Sequence, residues 1–230
     1  KYFYQIETQM EQLVTAKEVR GHFQKAVEKT KEIFDSGEGD VSQSDLTKLK
    51  LGLSNTLNNI IDLKHRLQIG KLNLGKLINQ EFRGDDDIML RALTPIDFPY
   101  TNFDAFLKAK KINSQSKKIT DKLGIVSTEI HIEQSIKLTK ENRLLLYKAF
   151  LDVTTLKDKL LLSKMNRKIT RALLISEVAN YDFGIGDSQE LFEALMIYTR
   201  IFSSYLDSIH TLNIAAAELE KLTDSFYTKN

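Results

Sequence analysis

Apolar residues recur in steps of three, four and seven through Phe3, Ile6, Met10, Leu13, Val19, Phe23, Ala26 and Ile33. That spacing keeps one stripe on one helix face and predicts a helix from Tyr2 to about Phe34. The rhythm stops at Ser36-Gly37-Glu38-Gly39-Asp40, where two glycines supply the backbone freedom a helix end needs. Ser42 or Ser44 is placed to cap a second helix, predicted from about Ser44 to Asn79. Its apolar positions include Leu46, Leu49, Leu53, Leu57, Ile60, Ile61, Leu67, Leu74 and Leu77. Two long helices joined by a tight turn lie antiparallel to bury their stripes. Gly52, Gly70 and Gly75 fall inside the second helix, each costing up to about 1 kcal/mol relative to alanine. Close approach by a neighbouring helix is expected there.

Residues 83–102 break the rhythm with a glycine, the acidic run Asp85 to Asp87 and the chain's two prolines, Pro95 and Pro99. They read as a connector. Three consecutive carboxylates point in different directions and no histidine is near, so a solvated loop is preferred to a metal site. Helical rhythm returns from about Asn102 to Asp182, through Leu144, Phe150, Val153, Leu156, Leu160, Leu173 and Val178. The basic front part of that segment reads as a solvated face rather than a contact for lipid phosphate. The stretch IVSTEIHIEQSI alternates as a strand does, but the helical periods that follow favour helix. A last helix is predicted from Gln189 to Phe226. The chain is thus expected to be all-α: a first antiparallel hairpin over 1–82 with its tip at 36–41, the connector 83–102, and a second hairpin over 103–230 with its tip at 183–188.

The two tips are near copies, FDSGEGD from Phe34 and YDFGIGD from Tyr181. Setting Gly37 on Gly184 aligns Phe34 with Tyr181, Asp35 with Asp182, Gly39 with Gly186 and Asp40 with Asp187. After a two-residue difference in the turn, a constant separation aligns Leu46 with Leu191, Ile60 with Tyr205, His65 with His210 and Leu74 with Leu219. A shared heptad explains some of the apolar matches. It does not demand the turn or the histidine pair, so the chain reads as two homologous helical hairpins. Hairpins of this length leave apolar flanks that further copies must cover, and oligomerisation supplies them.

Composition narrows the chemistry. A net charge of +2 gives no drive toward nucleic acid. There is no cysteine, which excludes disulfide and thiolate chemistry and fits an oxidising compartment. No run of eighteen apolar residues marks a transmembrane helix. The opening KYFYQIETQMEQLV is already in helical rhythm and reads as the start of a mature protein or fragment. No nucleophile–base pair, phosphate loop or cofactor motif is found, so an enzyme is not expected. The Gly-x-Gly turns follow helices rather than strands, against a dinucleotide site.

The stretches AVEKTKEIFDSGEGDVSQSDLTKLKLGL and ITRALLISEVANYDFGIGDSQELFEALMIYTRIFSSYLDSIHTLNIAAAELEKLT resemble the TolC-like outer membrane factors, the exit ducts of Gram-negative efflux pumps and type I secretion systems. The duplicated helix–Gly turn–helix, with a stretch like Asn213 to Leu219 after the second, is similar to that family's repeated periplasmic hairpin. The resemblance covers most of residues 1–82 and 125–228. It implies a homotrimer whose hairpins build an α-helical barrel in the periplasm, attached to the outer membrane by a β-barrel. It also implies tips that meet the periplasmic adaptor of an inner-membrane pump, here Gly37, Gly39, Asp40, Gly184 and Gly186. The chain departs from the pattern in one respect: no pair of alternating strands of membrane-barrel length is read, although strands belong near Thr101 to Lys111. A structural coiled coil or membrane-associated helical bundle without a pore is the alternative.

Asp187, Glu190 and Glu193 step along the start of the last helix, where the backbone dipole stabilises acids by about 0.3–1 kcal/mol each. That suffices for Asp187. The resemblance implies that these acids face the pore, with threefold rings of Glu190 and Glu193 that favour cations; helix-start acids remain the other reading. Tyr181 and Asp45 form a candidate latch between hairpins, against the simpler reading of a tyrosine covering its turn. The family often carries a basic residue where Gly186 stands. His65 and His210 each follow an aspartate by three residues, Asp62 and Asp207. Metal binding or pH sensing is one reading, but two ligands are too few for a structural metal. A histidine–aspartate hydrogen bond on one helix face is preferred.

Overall fold

A computed structural model describes residues 1–37, 41–82, 92–112 and 139–227. The elements are α1 (Tyr2–Ser36), α2 (Gln43–Ile78), α3 (Phe103–Ala109), α4 (Lys140–Phe183) and α5 (Ser188–Tyr227). The chain is all-α among the described residues. The strand-or-helix stretch from Ile125 and the acidic run from Asp85 lie outside them, as do the tip residues Gly39 and Asp40. Where the resemblance expects membrane strands, the described residues form the short helix α3, capped by Asn102, whose side chain accepts from Ala105 N–H at 2.8 Å.

The chain divides into two compact units. One holds Lys1–Pro95 with Lys157–Asn213, the other Ile96–Leu156 with Ile214–Asn230. In the first unit α1 and α2 run antiparallel, because partners pair in opposite chain order. The Phe23 ring lies 2.5 Å from where a Cβ on Gly52 would stand, and Ile6 lies 3.0 Å from that point on Gly70. Between them Ala16 packs with Ile60 and Leu63. The glycine expectation therefore holds at Gly52 and Gly70, where hydrogen instead of methyl lets α1 come close. Gly75 has a different origin: a Cβ there would run into the Gln80 carbonyl oxygen where the chain turns back, as Gly75 O accepts from Gln80 N–H at 2.9 Å and Asn79 takes a left-handed conformation (φ 54°). This is the helix-closing bond pattern of a Schellman motif.

The part of α4 in this unit meets α1 and α5. Arg171 donates to Glu18 Oε1 at 3.1 Å and to the Tyr198 hydroxyl at 2.9 Å. Arg167 stacks 4.8 Å from the ring centroids of both Phe202 and Tyr205. Phe23 completes the junction with an edge-on contact to Phe192 of α5 at 6.0 Å. Buried Tyr198 sits at the centre, and burial pushes its phenol above the ordinary value. Asn213 is also buried, and its amide donates to Thr94 O at 2.9 Å, tying the connector to α5.

The second unit centres on rings. Phe98, Phe103, Phe106 and Phe150 lie within 5.5–6.3 Å of one another wherever their centroids pair. Lys110 donates to both carboxylate oxygens of Glu220, at 2.7 and 2.8 Å, which holds its ammonium pKa above the usual lysine range.

Candidate functional site

The site is built where α1 and α4 end. Gly37 follows α1 at φ 70° and Gly184 follows α4 at φ 75°. Both are left-handed, a conformation in which a side chain costs roughly 1–2 kcal/mol. At the second turn Gly184 N–H donates to Tyr181 O at 3.1 Å and Ile185 N–H to Asn180 O at 3.0 Å. This closes α4 with the same bond pattern seen at the end of α2. Gly186 serves a separate need, since a Cβ there would lie 2.8 Å from Asn180 Cβ.

The two helices that follow are capped alike. Ser42 accepts from Asp45 N–H at 3.2 Å, and Asp45 in return accepts from Ser42 N–H at 3.1 Å. This reciprocal capping box settles the choice between Ser42 and Ser44. In α5 the equivalent position is Asp187, whose carboxylate accepts from Glu190 N–H at 2.7 Å. Asp187 is thus a helix cap.

Both turns lie at one end of the first unit, because Lys29 near the end of α1 reaches the end of α4. Its ammonium donates to Tyr181 O at 2.7 Å and Asp182 O at 2.9 Å, and lies 5.0 Å from the Tyr181 ring centroid. A cation on the last carbonyls of a helix satisfies acceptors that the helix itself leaves open. The Tyr181 hydroxyl enters the buried space beside α1, 2.5 Å from Thr30 Oγ1, and donates to Ala26 O at 3.2 Å. Burial raises its pKa, and the Thr30 hydrogen bond acts in the opposite sense.

The Tyr181–Asp45 latch is therefore corrected. Tyr181 pairs with Thr30 and Ala26, while Asp45 is held by Ser42, with a 2.6 Å bond from its hydroxyl. These bonds keep the Asp45 carboxyl below its ordinary pKa. Asp45 and Tyr181 still line one cavity of about 520 Å³ between the turns, together with Lys29, Gly184, Gly186 and Asp187. The polar link between α2 and α5 runs instead through Lys48, which donates to Gln189 Oε1 at 3.2 Å. Gln189 in turn donates to Glu193 Oε1 at 3.1 Å. Asp187, Glu190 and Glu193 are all exposed.

Lys29 and Thr30 were not singled out from the sequence. Their signal is weak, because a lysine and a threonine in the last turns of a long helix are ordinary surface residues. Only the position of Tyr181 in the other copy gives them a role. The second histidine pair also differs from expectation. Asp207 accepts from Gln12 Nε2 at 2.9 Å, and His210 Nδ1 is buried without a hydrogen-bond partner among the described residues. Asp62 and His65 of the first copy are exposed. Among the described residues no helix is long and apolar enough to cross a membrane.

In comparisons with known proteins, no protein-family model, curated protein or solved structure gives a significant match to the chain.

Proposed function

We propose that the chain is the periplasmic helical part of a TolC-like duct for efflux or type I secretion. In this reading it is a non-enzymatic conduit that works as a homotrimer attached to an outer membrane. The observation that carries the reading is the pairing of two left-handed glycine turns at one end of the first unit, joined by Lys29 and Tyr181. A duplicated hairpin that builds one wall of a tube must set its two tips side by side in this way.

Two further observations support it. The turn after α4 projects Phe183 and Ile185 with 81% and 78% of their surfaces exposed, an apolar pair suited to docking on an adaptor's tip. Leu161, Leu162, Met165 and Ile169 of α4 are exposed at helical spacing, as are Leu51, Leu57, Ile61 and Leu72 of α2. In a closed ring, the α4 stripe of one copy covers the α2 stripe of the next, a head-to-tail contact that closes by rotation. Glu190 and Glu193 then stand in threefold rings, and their carboxylates favour cations in the lumen.

Negative-stain images of the purified chain test the assembly. The expected result is a hollow ring with threefold symmetry. Solid or single-chain particles would leave the non-porous bundle as the better account. On reconstituted pores, Glu190→Ala with Glu193→Ala is expected to reduce cation preference. Unchanged selectivity removes the acid rings.

A further inference from the structure

A polar cavity of about 420 Å³ lies in the first unit between α1, α2 and α5, away from the turns. Its walls are largely polar and include Gln9, Gln12, Asp207 and His210. Gln9 is only 6% exposed, yet its Oε1 finds no partner among the described residues. The same is true of His210 Nδ1. A buried carbonyl oxygen left without a donor is costly, and a bound ligand would satisfy it.

The register places both residues on the wall of this one cavity. Gln12 of α1 meets Asp207 of α5 at 2.9 Å, and the helices run antiparallel. Gln9 stands three residues before Gln12, and His210 three residues after Asp207, so both step one turn along the seam in the same direction. A carboxylate and an imidazole three apart on one helix project toward one point, the spacing by which helical bundles hold metal ions.

We propose that Asp207, Nδ1 of His210 and Oε1 of Gln9 form a site for a divalent transition-metal cation. Imidazole with oxygen donors suits Zn²⁺, Co²⁺ or Ni²⁺. Gln12 orients the carboxylate by its amide and also reaches Ser203 Oγ at 3.2 Å. Among the described residues no three His, Asp or Glu side chains converge, so the ion keeps water ligands and exchanges. Arg66 and Lys1 also line the cavity and oppose a cation there, which limits affinity. The exposed Asp62–His65 pair lacks a buried amide oxygen and is not a site. The inference stands apart from the conduit reading and does not depend on it.

Co²⁺ titrated into the whole chain, followed by visible absorption with Zn²⁺ as competitor, tests the site. The expected result is a saturable spectrum that is lost in His210→Gln, kept in His65→Gln, and weakened about ten-fold or more in Asp207→Asn. Arg66→Gln is expected to tighten binding. In the unmutated chain, Co²⁺ should shift the NMR ring signals of His210 and leave those of His65 in place, a readout that does not need a variant to fold. Absence of a saturable spectrum overturns the proposal. So do a spectrum that survives His210→Gln, shifts at His65 instead of His210, or weaker binding in Arg66→Gln, which marks an anion site.

Discussion

The hydroxyl of Tyr181 is the contact between α1 and α4 whose energy is simplest to measure. Tyr181→Phe removes its hydrogen bonds to Thr30 Oγ1 and Ala26 O. Thr30 has no exposed surface, so an orphaned hydroxyl there would cost about 1–3 kcal/mol. It has an escape, however. Thr8, Thr15, Thr56 and Thr199 all donate to the carbonyl four residues back in their own helix, at 2.8–3.1 Å. Thr30 can turn to Ala26 O in the same way once the phenol is gone. The cost of Tyr181→Phe is therefore about 1 kcal/mol, the net worth of a satisfied hydrogen bond.

A double-mutant cycle with Thr30→Val isolates the shared bond. Each single change removes it and the double change removes it only once, so a coupling of about 0.5–1 kcal/mol is expected. Urea denaturation of the four proteins measures it. A coupling below about 0.3 kcal/mol, within the scatter for independent sites, would refute the contact. A single-variant loss above about 3 kcal/mol would refute the escape route. The pH dependence adds a sign. Burial raises the folded-state pKa of the Tyr181 phenol. This stability is fully present below the unfolded value of about 10 and is lost as pH rises through the folded value. Tyr181→Phe should lose less stability above about pH 10 than the unmutated chain, with Tyr198 supplying the remainder in both.

The two turns should respond alike to the same change. Gly37→Ala and Gly184→Ala are each expected to cost about 1–2 kcal/mol from positive φ alone, since nothing lies within 4 Å of an added Cβ at either. Gly52→Ala meets Phe23 and Phe192 and should lose about 1–3 kcal/mol by overpacking, read in the same denaturation assay. Asp45→Ala removes the capping box and is expected to cost about 0.5–2 kcal/mol at neutral pH. The Asp45 carboxyl is held below its ordinary pKa, so this contribution is present above about pH 4 and lost as pH falls through the folded value. Met165→Glu with Ile169→Glu should abolish the proposed ring while leaving helix content unchanged, as sedimentation and circular dichroism would show. A trimer that survives these changes would place the contact elsewhere.

The long helices and their ends were legible because they rest on local rules. Apolar period, absence of proline and glycine punctuation predict α1, α2 and α5 with ends displaced by no more than two residues, whereas α4 reads as part of a longer segment from about Asn102 and only its end, near Asp182, is placed closely. The repeated turn was also local, since Gly37 and Gly184 are glycines for the same backbone reason. What the sequence hid were choices that depend on the neighbour. Asp45 and Tyr181 are each plausible hydrogen-bonding partners when read alone. Ser42, three residues away, holds the carboxylate through short-range bonds, and the phenol turns to the helix wall beside it.

The histidine pair makes the same point more sharply. His65 and His210 align in sequence, yet one is exposed and the other lines a cavity with a buried ring nitrogen. The same residue type thus meets a different surface at each of the two matching positions. Differences between the two matching segments are therefore best sought where their neighbours differ. In this chain that place is the wall around Gln9, Gln12 and Asp207, where α1 packs on α5 as well as on α2.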